Sequence, residues 1–418
     1  MHKNLNAYVE NGKDALCASL QELVRIPTVN PPGNHYAELV GLLDERCRGL
    51  GMKTQIVHVP LDEAQKVVPH ADSHPRMNLI ARWDVGAEKT VHFNAHYDVV
   101  PVSGKWSADA FSAKIDGDWL YGRGSDDMKD AIATVLFAIA ALQETGVRPV
   151  FNIECSFTCD EETGGELGAG EIVRKGLVQA DYVVNCEGAT GLNVGIGHNG
   201  VLWLEVTVHG KAAHASRPDS GINAFEKTAE LVTALQPLKE RFAASERAFK
   251  TPDGIERHPT INIGGVFEGT SGDKVNTVPA QVIFSIDRRI PPNERLREAE
   301  NELRMAINQA CQSPSDVKAD VKSTLCIEPC LVNSTEPFVQ AFAQAVRTVR
   351  RNPVKFTPTS GFTDLHFFVE EGKMPGVGYG PRGEGAHGIN ERVSISDLVK
   401  TAKIYATFMV EANRDGKL

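Results

Sequence analysis

The chain alternates between runs that are apolar almost throughout and stretches in which apolar residues recur every three or four positions. ALCASLQELVRI reads as an amphipathic helix that Asp14 can cap and Pro27 ends. After the turn-rich PTVNPPGN, the run YAELVGLLDERCRGLG predicts a second helix, closed by Gly51. KTQIVHV, NLIARW and TVHFNAHYDVV then read as strands. A long helix, MKDAIATVLFAIAALQETG, is followed by strand FNIECSFT, helix GELGAGEIVRKG and strand DYVVNC. Nearly continuous apolar strands that alternate with helices predict an α/β domain on a mainly parallel, buried sheet with helices on both faces.

Near residue 199 the period changes. VLWLEVTVHG alternates apolar and polar residues, as a strand with one wet face does. NAFEKTAELVTAL predicts a helix, TINIGGVFEG and QVIFSIDRRI two strands, NERLREAENELRMAINQAC a helix and DVKADVKSTL a strand. That βαββαβ order predicts a two-layer α+β domain over residues 199–324. The first pattern resumes afterwards, so residues 1–198 and 325–418 are expected to form one domain that carries the other as an insertion. Segment 242–258 lacks periodicity and is expected to be a mobile loop.

A length of 418 residues exceeds one typical core, in keeping with two domains. The net charge of −10 argues against nucleic acid or an anionic membrane as partner, while leaving room for a small anionic substrate held by local arginines. No stretch approaches the ~20 apolar residues of a spanning helix, and the opening residues lack an apolar signal core. The eight cysteines are scattered, with Cys155 and Cys186 inside apolar runs, and are expected to be reduced thiols of a cytoplasmic protein. Cys155/Cys159 and Cys326/Cys330 lack a matched pair nearby and read as packing residues rather than zinc ligands.

Acidic and histidine residues gather at the ends of apolar strands, where open α/β sheets carry their sites. His96 and Asp98 follow TVHFN with period two, so their side chains share one side while Tyr97 points away. In YGRGSDDMKD, Asp126 and Asp127 follow a glycine turn at the start of a helix, where carboxylates also suit the helix dipole. TCDEETGGE sets Asp160, Glu161 and Glu162 side by side after a buried strand, a repulsive arrangement unless something cationic neutralises it. Glu187 ends DYVVNC in the same manner, and His387 lies in the glycine-rich EGAHGINE. Jointly they offer oxygen and nitrogen ligands suited to zinc, manganese or cobalt.

HYDVVP, GRGSDDMK, DEETGG, NCEG and AHGINE, in this order, resemble the successive motifs of the dinuclear zinc amidohydrolase and peptidase family. That family includes acetylornithine deacetylase, succinyl-diaminopimelate desuccinylase, aminoacylase and carboxypeptidase G. The resemblance implies two divalent ions per subunit, Zn2+ with Co2+ or Mn2+ as alternatives. Asp127 would bridge them, with His96 and Glu187 at one ion and Glu162 and His387 at the other. Glu161 would be general base and acid, and Asp98 would orient His96.

HGKAAHASRPDSGINA resembles the family segment whose histidine, here His214, reaches the partner subunit's site and stabilises the oxyanion. The resemblance thus makes the inserted domain a lid and the surface of a homodimer. Asn276 in DKVNTVPA, Arg289 in SIDRRIPP and Gly361 in TSGFTDLHFF match its contacts to the substrate carboxylate. Arg288 would lie on the opposite strand face. Asp126 and Asp130 depart from the family's usual small residue and glycine, adding charge beside the bridging acid. Glu rather than Asp at position 187 leans toward the deacylases. The expected reaction is hydrolysis of an amide-type C–N bond in a small carboxylate-bearing molecule. Dipeptidase, carboxypeptidase and hydrolytic deaminase activities, and an inactive ligand-binding relative, stay open.

Overall fold

A computed structural model of the chain describes residues 2–68, 71–269, 274–312, 317–412 and 418. The chain divides into two compact units, residues 1–197 with 331–359 and 363–418, and residues 198–330 with 360–362. No helix among the described residues is long and apolar enough to cross a membrane.

In the first unit the main sheet runs, in spatial order, through Lys53–His58, Met77–Trp83, Asn152–Thr158, Thr90–His96, Tyr182–Asn185, Gly376–Gly378 and Asn193–His198. Its heart is parallel: Thr90–His96 pairs in parallel with both Asn152–Thr158 and Tyr182–Asn185, and Gly376–Gly378 in parallel with the latter. The flanks are antiparallel, which makes the sheet mixed where the apolar runs predict a mainly parallel one. At the Asn193–His198 flank the reason is connection length. Residues 186–192 are too few for the crossover that parallel neighbours need, so Asn193–His198 returns antiparallel, beside Gly376–Gly378.

Because the central strands run one way, their C-terminal ends open on one edge of the sheet, with His96 opposite Thr158 and Asn94 opposite Asn185. Those strands are buried along nearly their whole length. Helices Lys13–Val24, Lys129–Glu144, Pro337–Arg350 and Ile395–Glu411 contribute to the same apolar core. Phe408 is fully buried there, with Phe338, Phe342 and Phe151 at ring separations of 5.5, 5.0 and 5.6 Å. Phe408→Ala is expected to cost about 3–5 kcal/mol, the usual range for emptying such a site. A lowered denaturant midpoint would register it.

The N-terminus differs from expectation. His2–Asn11 is also helical, anchored by Leu5 and Val9, too few apolar positions to stand out as a period. The next helix is capped at Gly12 rather than Asp14, which lies within its first turn. A Cβ at residue 12 would come 2.4 Å from the tip of the Phe137 ring, which would have to shift to admit it. Gly51, at φ 63°, closes helix Tyr36–Gly49, with Met52 N–H donating to Cys47 O at 3.0 Å.

The second unit has an antiparallel sheet in the order Thr260–Gly269, Gln281–Ile290, Gly200–His209, Lys318–Ile327. Gln281–Ile290 alternates strictly between half-buried and buried positions. The buried set, including Leu204, Val206, Phe284 and Ile286, packs with Leu231 and Leu303 of helices Ala224–Ala234 and Leu296–Gln312. Segment 242–258, expected to be a mobile loop, carries some local structure. It holds a short antiparallel pair, Phe249–Lys250 with Glu256–Arg257, and Arg247 there is ion-paired to Glu294 and Glu302. Its order comes from charge pairing and a turn, which leave no apolar period.

Candidate metal centre

The edge where the parallel strands end gathers His96, Asp127, Glu161, Glu162, Glu187 and His387, all within the first unit. Their ligand atoms form two sets, His96–Asp127–Glu187 and Asp127–Glu162–His387, each with its atoms within 4.8 Å of one another. Asp127 belongs to both. One carboxylate oxygen lies 3.1 Å from His96 Nε2, and the other 3.1 Å from His387 Nε2. Glu162 Oε2 lies 2.9 Å from His387 Nε2, whereas Glu187 and Glu161 approach His96 Nε2 at 3.9 and 3.8 Å.

Each group is delivered by an irregular segment set on a regular one. Asp127 sits in the turn before helix Lys129–Glu144, where Gly122 and Gly124 adopt positive φ. Glu391 holds that turn: its Oε1 accepts from the backbone N–H of Asp126 at 2.9 Å and of Asp127 at 3.2 Å. Glu391 is itself fully buried and ion-paired to buried Arg123, which also donates to Gly388 O at 3.2 Å. The loops carrying Asp127 and His387 are therefore laced together by residues that the sequence reading did not single out, although Glu391 directly follows the AHGIN run.

His96 Nδ1 faces the Asp98 carbonyl at 3.0 Å and its carboxylate at 3.4 Å. The carbonyl can only accept, so Nδ1 carries a proton, and Nε2 is the atom turned toward the carboxylates. Asp98 thus meets His96 through both its carbonyl and its carboxylate. The same carboxylate accepts the N–H groups of Glu161 at 3.2 Å and Glu162 at 3.3 Å.

Burial dominates the electrostatics. It raises Glu162 to about 7 and Glu187 to about 8, against the lowering pull of the facing histidines. Glu161 is pushed well above the carboxylate range, first by burial and then by Glu187. Asp127 goes the other way: burial works to raise it, but hydrogen bonds from His387 and His96 prevail and hold it low. Hydrogen bonds to Asp127 and Glu162 raise His387 to about 10. Asp126 is raised to about 7 and Asp130 well above its usual range, burial being the largest cause for both. Burial thus works against the negative charge at both positions.

The donor set fits divalent cations. Glu162 Oε1 and Glu187 Oε1 are buried with no hydrogen-bond partner among the described residues, which is the condition of an oxygen made to meet an ion. Carboxylate oxygens and imidazole nitrogens also suit zinc, cobalt or manganese. A further buried carboxylate, Asp364, accepts from Thr158 Oγ1 at 3.1 Å, and a Cβ on Gly165 would lie 2.3 Å from it. It stands in the TSGFTDLHFF run, where Gly361 drew the attention.

His214, Asn276, Arg289 and Gly361 all belong to the second unit. His214 is exposed on a two-residue strand opposite Thr277, and its Nδ1 accepts the Ser216 N–H at 3.1 Å. The neutral ring consequently carries its proton on Nε2. Asn276 is exposed, and its carbonyl accepts the Ala215 N–H at 2.9 Å. Arg289 is half-buried and donates to Asp287 of the same strand at 3.0 Å, while Arg288 is fully buried on the other face against Glu294. Gly361 is exposed. Cys17, Cys47, Cys155, Cys159, Cys186 and Cys311 are free thiols.

A succinyl-diaminopimelate desuccinylase of Beijerinckia indica is 26% identical over 405 residues, covering 93% of this chain and 96% of that one. An acetylornithine deacetylase of Aliivibrio fischeri is 30% identical over 295 residues, 69% of this chain and 71% of its own. The dipeptidase Dug1p of Saccharomyces cerevisiae superposes with a TM-score of 0.79 over 97% of both chains at 16% identity, a likeness of fold. The sequence pattern of peptidase family M20/M25/M40 matches residues 92–411, well over half the length. The chain belongs to peptidase family M20/M25/M40.

Proposed function

We propose that the protein is a metal-dependent hydrolase that cleaves an amide-type C–N bond in a small carboxylate-bearing molecule, an N-acyl amino acid above all. The observation that carries this reading is Asp127, whose two oxygens each face a different histidine at 3.1 Å, as a bridge between two cations requires. Named relatives that remove acyl groups from amino acids support the choice of substrate class.

His96 and Glu187 would hold one ion, Glu162 and His387 the other, with Asp127 common to both; zinc is the first choice, cobalt or manganese the alternatives. Bound there, the ions would make water acidic and polarise the scissile carbonyl. Glu161 takes the proton from the attacking water and hands it to the leaving nitrogen, which departs as the free amine. Its side chain is only 7% exposed and belongs to neither ligand set, so it is kept for proton transfer. His214, with its proton on Nε2, donates to the oxyanion of the partner subunit's site. Asn276, Arg289 and Gly361 receive the substrate carboxylate. The unit around residues 198–330 acts as lid and homodimer surface, and the scattered cysteines suit the cytoplasm.

The test is a screen of N-acetyl and N-succinyl amino acids against dipeptides, using metal-reconstituted protein and release of free amine as the readout. Turnover confined to dipeptides would replace deacylation with peptidase activity. His214→Ala is expected to lose activity, and mixing it with Glu161→Gln after verified subunit exchange to restore part of it. No rescue would remove the shared site.

A further inference from the structure

The turn-rich PTVNPPGN segment has no part in the chemistry so far, yet Asn30 within it is 2% exposed and lies against the catalytic turn. Its Nδ2 meets Asp98 Oδ2 at 3.0 Å, Asp160 Oδ1 at 3.1 Å and Thr163 Oγ1 at 3.2 Å. Its backbone N–H donates to Val99 O at 2.9 Å, which ties the turn to the segment just beyond His96.

We propose that Asn30, with Asp160, Tyr36 and Arg76, is a positioning device that sets where the Glu161 carboxylate stands. The proposal rests on Glu161 being the base, and concerns what aims it. Asp98 grips the turn from one side by accepting the Glu161 and Glu162 N–H groups. Asp160 forms the turn's entrance at φ 62°, the left-handed region that residues with a side chain seldom occupy. Three donors hold it there: Arg76 Nε at 2.7 Å, Tyr36 OH at 2.8 Å and the Asn30 amide. Tyr36, Arg76 and Asp160 are all buried, and Arg76 also lies under the Gly33 turn, where a Cβ would come 2.7 Å from its Nη1.

Two buried carboxylates thus flank the turn, and a single neutral amide is bonded to both. It cross-links them without adding charge, while Arg76 supplies the cation. Without that amide, Asp98 and Asp160 each lose a donor and face each other with less between them, a costly state at low dielectric. The turn relaxes, and Glu161 moves with it. A displacement near 1 Å suffices to lower a rate about 100-fold.

Asn30→Ala is expected to lower kcat about 10- to 100-fold, with KM and metal content unchanged, the latter measured by elemental analysis and metal titration. Tyr36→Phe removes one donor to Asp160 and is expected to lower kcat several-fold with the same split. Wild-type kcat in Asn30→Ala overturns the proposal, and so does a loss confined to thermal stability or metal content. If Asn30→Ala does not fold, unchanged kcat in Tyr36→Phe overturns it. Glu161→Gln, assayed alongside, separates the layers: full activity there removes the base assignment, whereas an inactive Glu161→Gln beside a fully active Asn30→Ala removes the positioning role alone.

Discussion

Glu161→Gln is expected to lower kcat by about 10²–10⁴-fold, the usual contribution of a positioned acid–base group, and to leave metal content as it was. The substitution keeps the shape and removes the ability to take a proton. Glu161 lies outside both ligand sets, so ion binding does not depend on it. Burial and the Glu187 charge raise its proton affinity, which suits a group that takes a proton from water and passes it to a leaving nitrogen. Steady-state rates beside elemental analysis check the expectation. Retained activity would take Glu161 out of the mechanism, and lost metal would turn it into a ligand.

Asp127→Ala is expected to empty both sites together, because one carboxylate serves both histidines at 3.1 Å. The parent should bind two ions per chain and gain stability from each, about 4 kcal/mol per site when free metal is 1,000 times the dissociation constant. The variant should bind fewer than one and show little change of Tm on adding zinc. Elemental analysis and thermal unfolding with and without metal make the comparison. Two tightly bound ions in the variant would refute the bridging role. His387→Ala distinguishes the sites further, since its loss should weaken the Glu162 side before the Glu187 side.

Much of the site was legible because three of its motifs combine two local signals, an apolar strand and an acid or histidine at or just past its end. His96 after TVHFNA, Glu161 and Glu162 after FNIECSFT, and Glu187 after DYVVN have that form. Their partners were not legible. Glu391 and Asn30 lie 265 and 68 residues from the groups they hold, so no spacing or period connects them. The mixed sheet escaped for a related reason: apolar runs report burial on both faces but not strand direction.

By itself the sequence determined the α/β class, the change of period near residue 199 and which side chains were candidates for metal and proton work, since residue type and local period act over a few positions. Only the tertiary structure decided that the two Asp127 oxygens lie 3.1 Å from His96 and from His387, that the Asp98 carboxylate also accepts from the Glu161 turn, and that Asn30 joins it to Asp160. Those facts depend on angstrom-scale distances between segments far apart in the chain, and such distances exist only once the sheet has brought its strand ends to one edge.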